Sequence, residues 1–118
     1  MPREAKDLSV VTRTYDFIVW MMDRVDKFPR NYRFLLGDRL LGGLLDVLEF
    51  LIQARYSPKE RLPLLQKVNF SLQKLRYLLR LAKDKQLMSL KSYEFGAKSM
   101  DELGREVGGW AQSLKERR

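Results

Sequence analysis

The chain has 118 residues, no cysteine, no histidine and a net charge of +8. That length suits one domain with its own core, and the two missing residue types exclude disulfides, zinc–thiolate sites and the commonest general base. No apolar run approaches the ~18 residues of a membrane span, and the polar stretch 1–7 has no leader-like apolar run after it, so a cytoplasmic protein without membrane contact is expected.

A first helix is expected over residues 9–26. Val11, Tyr15, Ile18, Met22 and Val25 repeat at four and three, which makes the seam of a helical bundle. Ser9 is placed to cap its first turn. Phe17, Trp20 and Met21 lie off that seam, to widen the core or to meet a neighbour.

Phe28-Pro29-Arg30-Asn31 breaks the pattern, since proline disfavours helix before it and suits the first turn after it. A second helix is expected over 30–54. Phe34, Gly37, Leu41, Leu44, Leu48 and Leu51 form one apolar row; Leu36, Leu40, Gly43, Val47, Phe50 and Ala54 form another. This should be the most buried helix. Gly37, Gly42 and Gly43 each cost roughly 1 kcal/mol against alanine in a helix interior, and close approach of another backbone would explain them.

Ser57 with Glu60 three residues on reads as a capping box with Pro58 at the first helical position, so a third helix is expected over 58–83. Its seam is Leu65, Val68, Leu72, Leu75, Leu79 and Ala82, spaced alternately three and four. At about 100° per residue, Phe70, Tyr77 and Leu81 fall opposite as a second apolar stripe. Lys67, Lys74 and Lys85 run along one flank, and Arg76, Arg80 and Lys83 along the other. Asn69 sits beside the seam, where it can fix helix register.

A fourth helix is expected over 89–115, with Tyr93, Ala97, Met100, Gly104, Val107, Ala111 and Leu114 as its seam and Leu103 and Trp110 beside it. Four amphipathic helices joined by short loops give an all-α, up-down-up-down antiparallel four-helix bundle, a single domain over 1–118.

The charge excess is local. Residues 58–88 hold eight basic and two acidic residues, net +6, and the rest of the chain adds only +2. Such a footprint points to a polyanion, chiefly nucleic acid. Without sheet or loop RNA-recognition signatures, binding should be led by phosphate contacts and weakly sequence-specific. Asp46 and Glu49 read as a solvated strip rather than a catalytic pair, and no nucleophile–base pair, metal set or cofactor motif stands out. A non-enzyme is expected.

Four stretches carry a resemblance: FPRNYRFLLG at 28–37, LEFLIQARYS at 48–57, LQKLRYLLRLA at 72–82 and ELGREVGGW at 102–110. Together they resemble the accessory variability determinant (Avd) of diversity-generating retroelements, within a wider four-helix-bundle group that includes proteins encoded in 23S ribosomal RNA intervening sequences. The resemblance implies a basic, ring-shaped homo-oligomer, a pentamer, that binds the retroelement's reverse transcriptase together with RNA and DNA and supports mutagenic reverse transcription. It places nucleic-acid or partner binding on Arg30, Arg33, Arg76, Arg80 and Arg105; Lys67, Lys74 and Lys83 come from the helical wheel. It gives the stripe of Phe70, Tyr77 and Leu81 a neighbouring subunit to meet, with Gly108, Gly109 and Trp110 assisting. The alternatives are a ribosomal-RNA-associated relative of the same fold and a helical scaffold that binds only proteins.

Overall fold

The computed structural model describes residues 2–116, which contain four long helices and no strand. They are α1 (Pro2–Val25), α2 (30–56), α3 (Arg61–Asp84) and α4 (Leu90–Glu116). Each helix packs on the next and α1 returns to α4, giving an all-α antiparallel four-helix bundle measuring 48 × 23 × 19 Å. No described helix is long and apolar enough to cross a membrane.

The seam of α3 lies where its spacing puts it: Leu65, Val68, Leu72, Leu75, Leu79 and Ala82 are all buried, joined by Leu64. Two glycines receive it. A Cβ on Gly43 of α2 would stand 2.7 Å from Leu75 Cδ2, and one on Gly96 of α4 would stand 3.0 Å from Leu79 Cδ2. Knobs on α3 therefore enter holes on both neighbours, and the helices close to native packing density.

The buried face of α1 keeps Ile18 and Val25 of the expected seam but is otherwise turned from it. Val10, Thr14, Phe17, Ile18, Met21 and Val25 are buried, whereas Tyr15 is 59% exposed and Met22 43%. The two rows are one residue apart, about 100° on the wheel, and both are rich in apolar side chains. Thr14 disguised the inward row as polar. Its hydroxyl donates to the Val10 carbonyl at 2.8 Å, so it is buried without an orphaned group. The helix also begins at Pro2, so Ser9 lies inside it and caps nothing. The early start is natural for a run of Arg, Glu, Ala and Lys, all good helix formers.

In α2 the first turns are irregular. Arg30–Tyr32 leads into a π-helical segment, Arg33–Gly37, before the regular helix Asp38–Tyr56. The Asp38 N–H donates to the Arg33 carbonyl, one residue further back than in an α-helix. The wider turn shifts the phase, so Leu36 and Gly37 are buried while Phe34, expected on an inward row, is exposed. Gly37 is needed for close approach, since a Cβ there would stand 2.5 Å from Val25 Cγ1. The close neighbours of Gly37 and Gly43 are side chains rather than backbone, and Gly42 faces open space.

The joint after α2 corrects the capping box. Residues 57–60 form a turn, Glu60 N–H donating to the Ser57 carbonyl at 3.1 Å, and α3 starts at Arg61 without a side-chain cap. Arg61 instead caps the helix behind it: Nε donates to the Ala54 carbonyl at 2.7 Å and Nη2 to the Arg55 carbonyl at 2.9 Å. Those carbonyls lack helical partners and favour a cation.

α3 ends in a Schellman motif. Gln86 N–H donates to the Lys83 carbonyl and Leu87 N–H to the Ala82 carbonyl, both at 2.9 Å, with Gln86 at φ 59°. Ser89 then caps α4, its Oγ accepting from the Ser92 N–H at 3.0 Å. The buried row of α4 is Gly96, Met100, Leu103, Val107, Trp110 and Ala111, turned slightly from the expected seam toward α1.

Three outcomes follow for stability, all read by thermal or urea denaturation. Gly42→Ala should stabilise the protein by about 0.5–1 kcal/mol, whereas Gly37→Ala should destabilise it by about 1 kcal/mol or more, because the new methyl meets Val25. Gln86→Gly should add roughly 0.5–1 kcal/mol by relieving the left-handed backbone.

Candidate nucleic-acid interface

The outward side of α3 is an apolar ridge between two lines of cations. Phe70 is 66% exposed, Tyr77 71%, and Leu81 is also exposed. On the flank toward α2, the Lys67 ammonium lies 5.7 Å from the Phe50 ring centre and the Lys74 ammonium 5.3 Å from that of Phe70. On the flank toward α4, Lys83 lies 4.7 Å over Tyr93, and Lys83 and Arg80 share Asp84 at 3.5 and 3.9 Å. These contacts hold long side chains near the aromatic faces without neutralising the ridge, because one carboxylate serves two cations.

Arg76 differs from its neighbours. It is half-buried between α3 and α4, with Nη2 3.3 Å from Asp101 Oδ1. A Cβ on Gly104 would stand 2.8 Å from the same Nη2, so the bare backbone of α4 is what admits the guanidinium. Its Nε is buried without a hydrogen-bond partner. Around it lies an open groove of about 680 Å³, lined by Asn69, Phe70, Leu72, Gln73, Arg76, Asp101, Gly104 and Arg105.

The expected binding residues thus fall into three places. Arg76 and Arg105 share the groove. Arg80 and Lys83 extend that flank toward the end of α3, and Lys67 and Lys74 occupy the opposite flank. Arg30 and Arg33 are exposed on the first turns of α2, at the end of the bundle where α3 finishes. Of the expected contact residues, Phe70, Tyr77, Leu81 and Gly109 are exposed and Gly108 is half-buried. Trp110 is only 8% exposed; it packs in the protomer's own core with the Arg61 guanidinium 5.6 Å over its ring, so it has little surface to offer a partner.

Two features went unrecognised in the sequence. One is the polar lining of the groove. Asn69, Gln73 and Arg76 are spaced four and three on α3, facing Asp101, Gly104 and Arg105, spaced three and one on α4. The pattern was visible, but the pairing of the two faces was not. The other is an apolar face on α1 and α2. Leu8, Tyr15, Val19 and Met22 are exposed on the flank of α1 opposite Arg13 and Trp20, which meet α4. Leu45 and Ile52 are exposed on the flank of α2 opposite Gly43 and Phe50, which meet α3. The two sets therefore flank the α1–α2 seam; no charged residue lies on the α1 stripe between Leu8 and Met22, whereas the exposed Glu49 sits between Leu45 and Ile52 on α2.

No curated protein and no solved structure gives a significant match to the chain. A family model described as bAvd-like matches residues 8–114, nearly the whole chain, and the chain belongs to that family, the one its four stretches resemble.

Proposed function

We propose, on that membership and on the cationic ridge of α3, that the protein is a non-catalytic accessory component of a diversity-generating retroelement. It works in the cytoplasm as a homo-oligomeric ring, the pentamer that the family resemblance implies. It holds the reverse transcriptase and the template RNA or its DNA copy together during mutagenic reverse transcription. The observation that carries the nucleic-acid part is the concentration of net +6 on residues 58–88, with Lys67 and Lys74 on one flank of the outward ridge of α3 and Arg76, Arg80 and Lys83 on the other. A line of cations at helical spacing reads phosphates, not bases, and so suits a partner whose sequence changes.

The ring is supported by apolar surface that one protomer leaves uncovered. The α1–α2 face is the better subunit contact of the two available. It is apolar apart from Glu49, whereas the α3 stripe is flanked on both sides by cations that would resist approach of a like surface. Burial of Tyr15, Val19, Met22, Leu45 and Ile52 between copies would remove their cost in water.

Two measurements check this reading. Light scattering on the purified protein should give a mass several times that of one chain, and Tyr15→Glu with Ile52→Glu should yield a monomer with unchanged helical circular dichroism; a monomeric parent protein sinks the ring. For RNA, Lys74→Glu with Arg80→Glu should weaken binding and make the plot of log affinity against log salt shallower by about one to two. An unchanged slope removes those residues from the interface.

A further inference from the structure

We propose that the groove between α3 and α4 is a seat for one unpaired nucleotide of a single-stranded nucleic acid; this rests on the nucleic-acid reading above and goes beyond it in naming a site and a strand preference.

Three observations on the groove carry the assignment. The first is Phe70. It is 66% exposed although the seam of its helix is fully buried on the other side, so it contributes nothing to the core. One side of its ring is approached by the Lys74 ammonium, and the ring itself lines the groove. An aromatic ring in that position offers a stacking surface to a base that is not already paired.

The second is the pair of carboxamides. Asn69 and Gln73 lie one turn apart on the groove wall beside Phe70. Each carries both donors and an acceptor, which is what the open edge of a base requires. A ridge that served only as a cation line would have no use for them at these positions.

The third is the fixed guanidinium. Asp101 holds Arg76 from one side, and the missing side chain of Gly104 leaves room for it. An arginine so placed is ordered before the ligand arrives, and its planar fork suits a phosphate oxygen. Arg105 supplies a second, exposed guanidinium at the same groove. A nucleotide with its base on Phe70 and its phosphate toward Arg76 and Arg105 would use the ring, the carboxamides and both guanidiniums of the lining, with the Asp101 carboxylate turned to Arg76. A duplex cannot use the groove in this way, because its bases are stacked and paired.

The test is affinity for a labelled mixed-sequence single-stranded RNA and for an RNA duplex of equal length, measured at one low salt concentration. The parent protein should prefer the single strand. Phe70→Leu should weaken single-strand binding about fivefold or more, the loss expected for one stacked base, and leave duplex binding unchanged. Gly104→Ala should lower the same preference by crowding Arg76. Melting temperature and mass by light scattering should stay unchanged for Phe70→Leu, because the side chain lies outside the core. Equal weakening of single strand and duplex, no weakening of either, or a fall in mass would each overturn the groove assignment. Failure of the parent protein to bind either RNA would instead overturn the nucleic-acid reading on which the assignment rests.

Discussion

The seam of α3 is the contact on which the bundle depends. Leu65, Val68, Leu72, Leu75, Leu79 and Ala82 are all at most 2% exposed, and α3 packs against both α2 and α4. The seam does not merely lie against its neighbours; Leu75 and Leu79 enter positions that a side chain on Gly43 or Gly96 would fill. Those two glycines weaken their helices locally, and the close packing they permit offsets the loss. Dispersion and burial both fall steeply when such a contact opens by even an ångström.

The junction of α1 with α4 is of another kind. It is closed by Trp20, stacked on Phe17 of its own helix at 5.5 Å and tilted against Phe95 of α4 at 4.8 Å, and by Arg13, which reaches Glu102 at 2.9 Å and also bonds Glu106. The hydrogen bond and charge of Glu106 raise the Arg13 guanidinium above its ordinary value. Folded and unfolded values both lie in the strongly alkaline range, so the Arg13 guanidinium stays charged under ordinary conditions. Arg13 is nearly half-exposed, and exposed pairs of this kind contribute only about 0–1 kcal/mol each. The bundle is therefore firmest around α3 and weakest along this side.

Arg76 links the packing to the surface. Where Gly43 and Gly96 admit leucines, Gly104 admits a guanidinium. The seam between α3 and α4 is thus apolar along its core and polar at its outer edge, and the groove follows from that change. The same helix that organises the core carries the charge excess on its solvent side, so the position of the basic surface is fixed as firmly as the fold. The α1–α2 face stands apart from it, apolar and without the cations that line α3, and the two surfaces can engage different partners at once.

The helices, the joint at Phe28-Pro29, the α3 seam and the location of the positive charge were all determined by the sequence. Each depends on spacing within one segment or on local backbone chemistry, and needs no knowledge of neighbours. Within the same sequence, α1 offered two apolar rows one residue apart, and its buried row contained Thr14 while its exposed row contained Tyr15 and Met22. Nothing in α1 alone chooses between them. The choice was made by Trp20 and Arg13, which turn their flank of α1 to α4, while Val25, common to both rows, packs against Gly37 of α2. The π-helical turn shifted Phe34 outward for a reason equally absent from periodicity. Only tertiary structure could bring Asn69, Gln73 and Arg76 opposite Asp101, Gly104 and Arg105, because the register between two helices is set by how their side chains interlock and not by the pattern of either one.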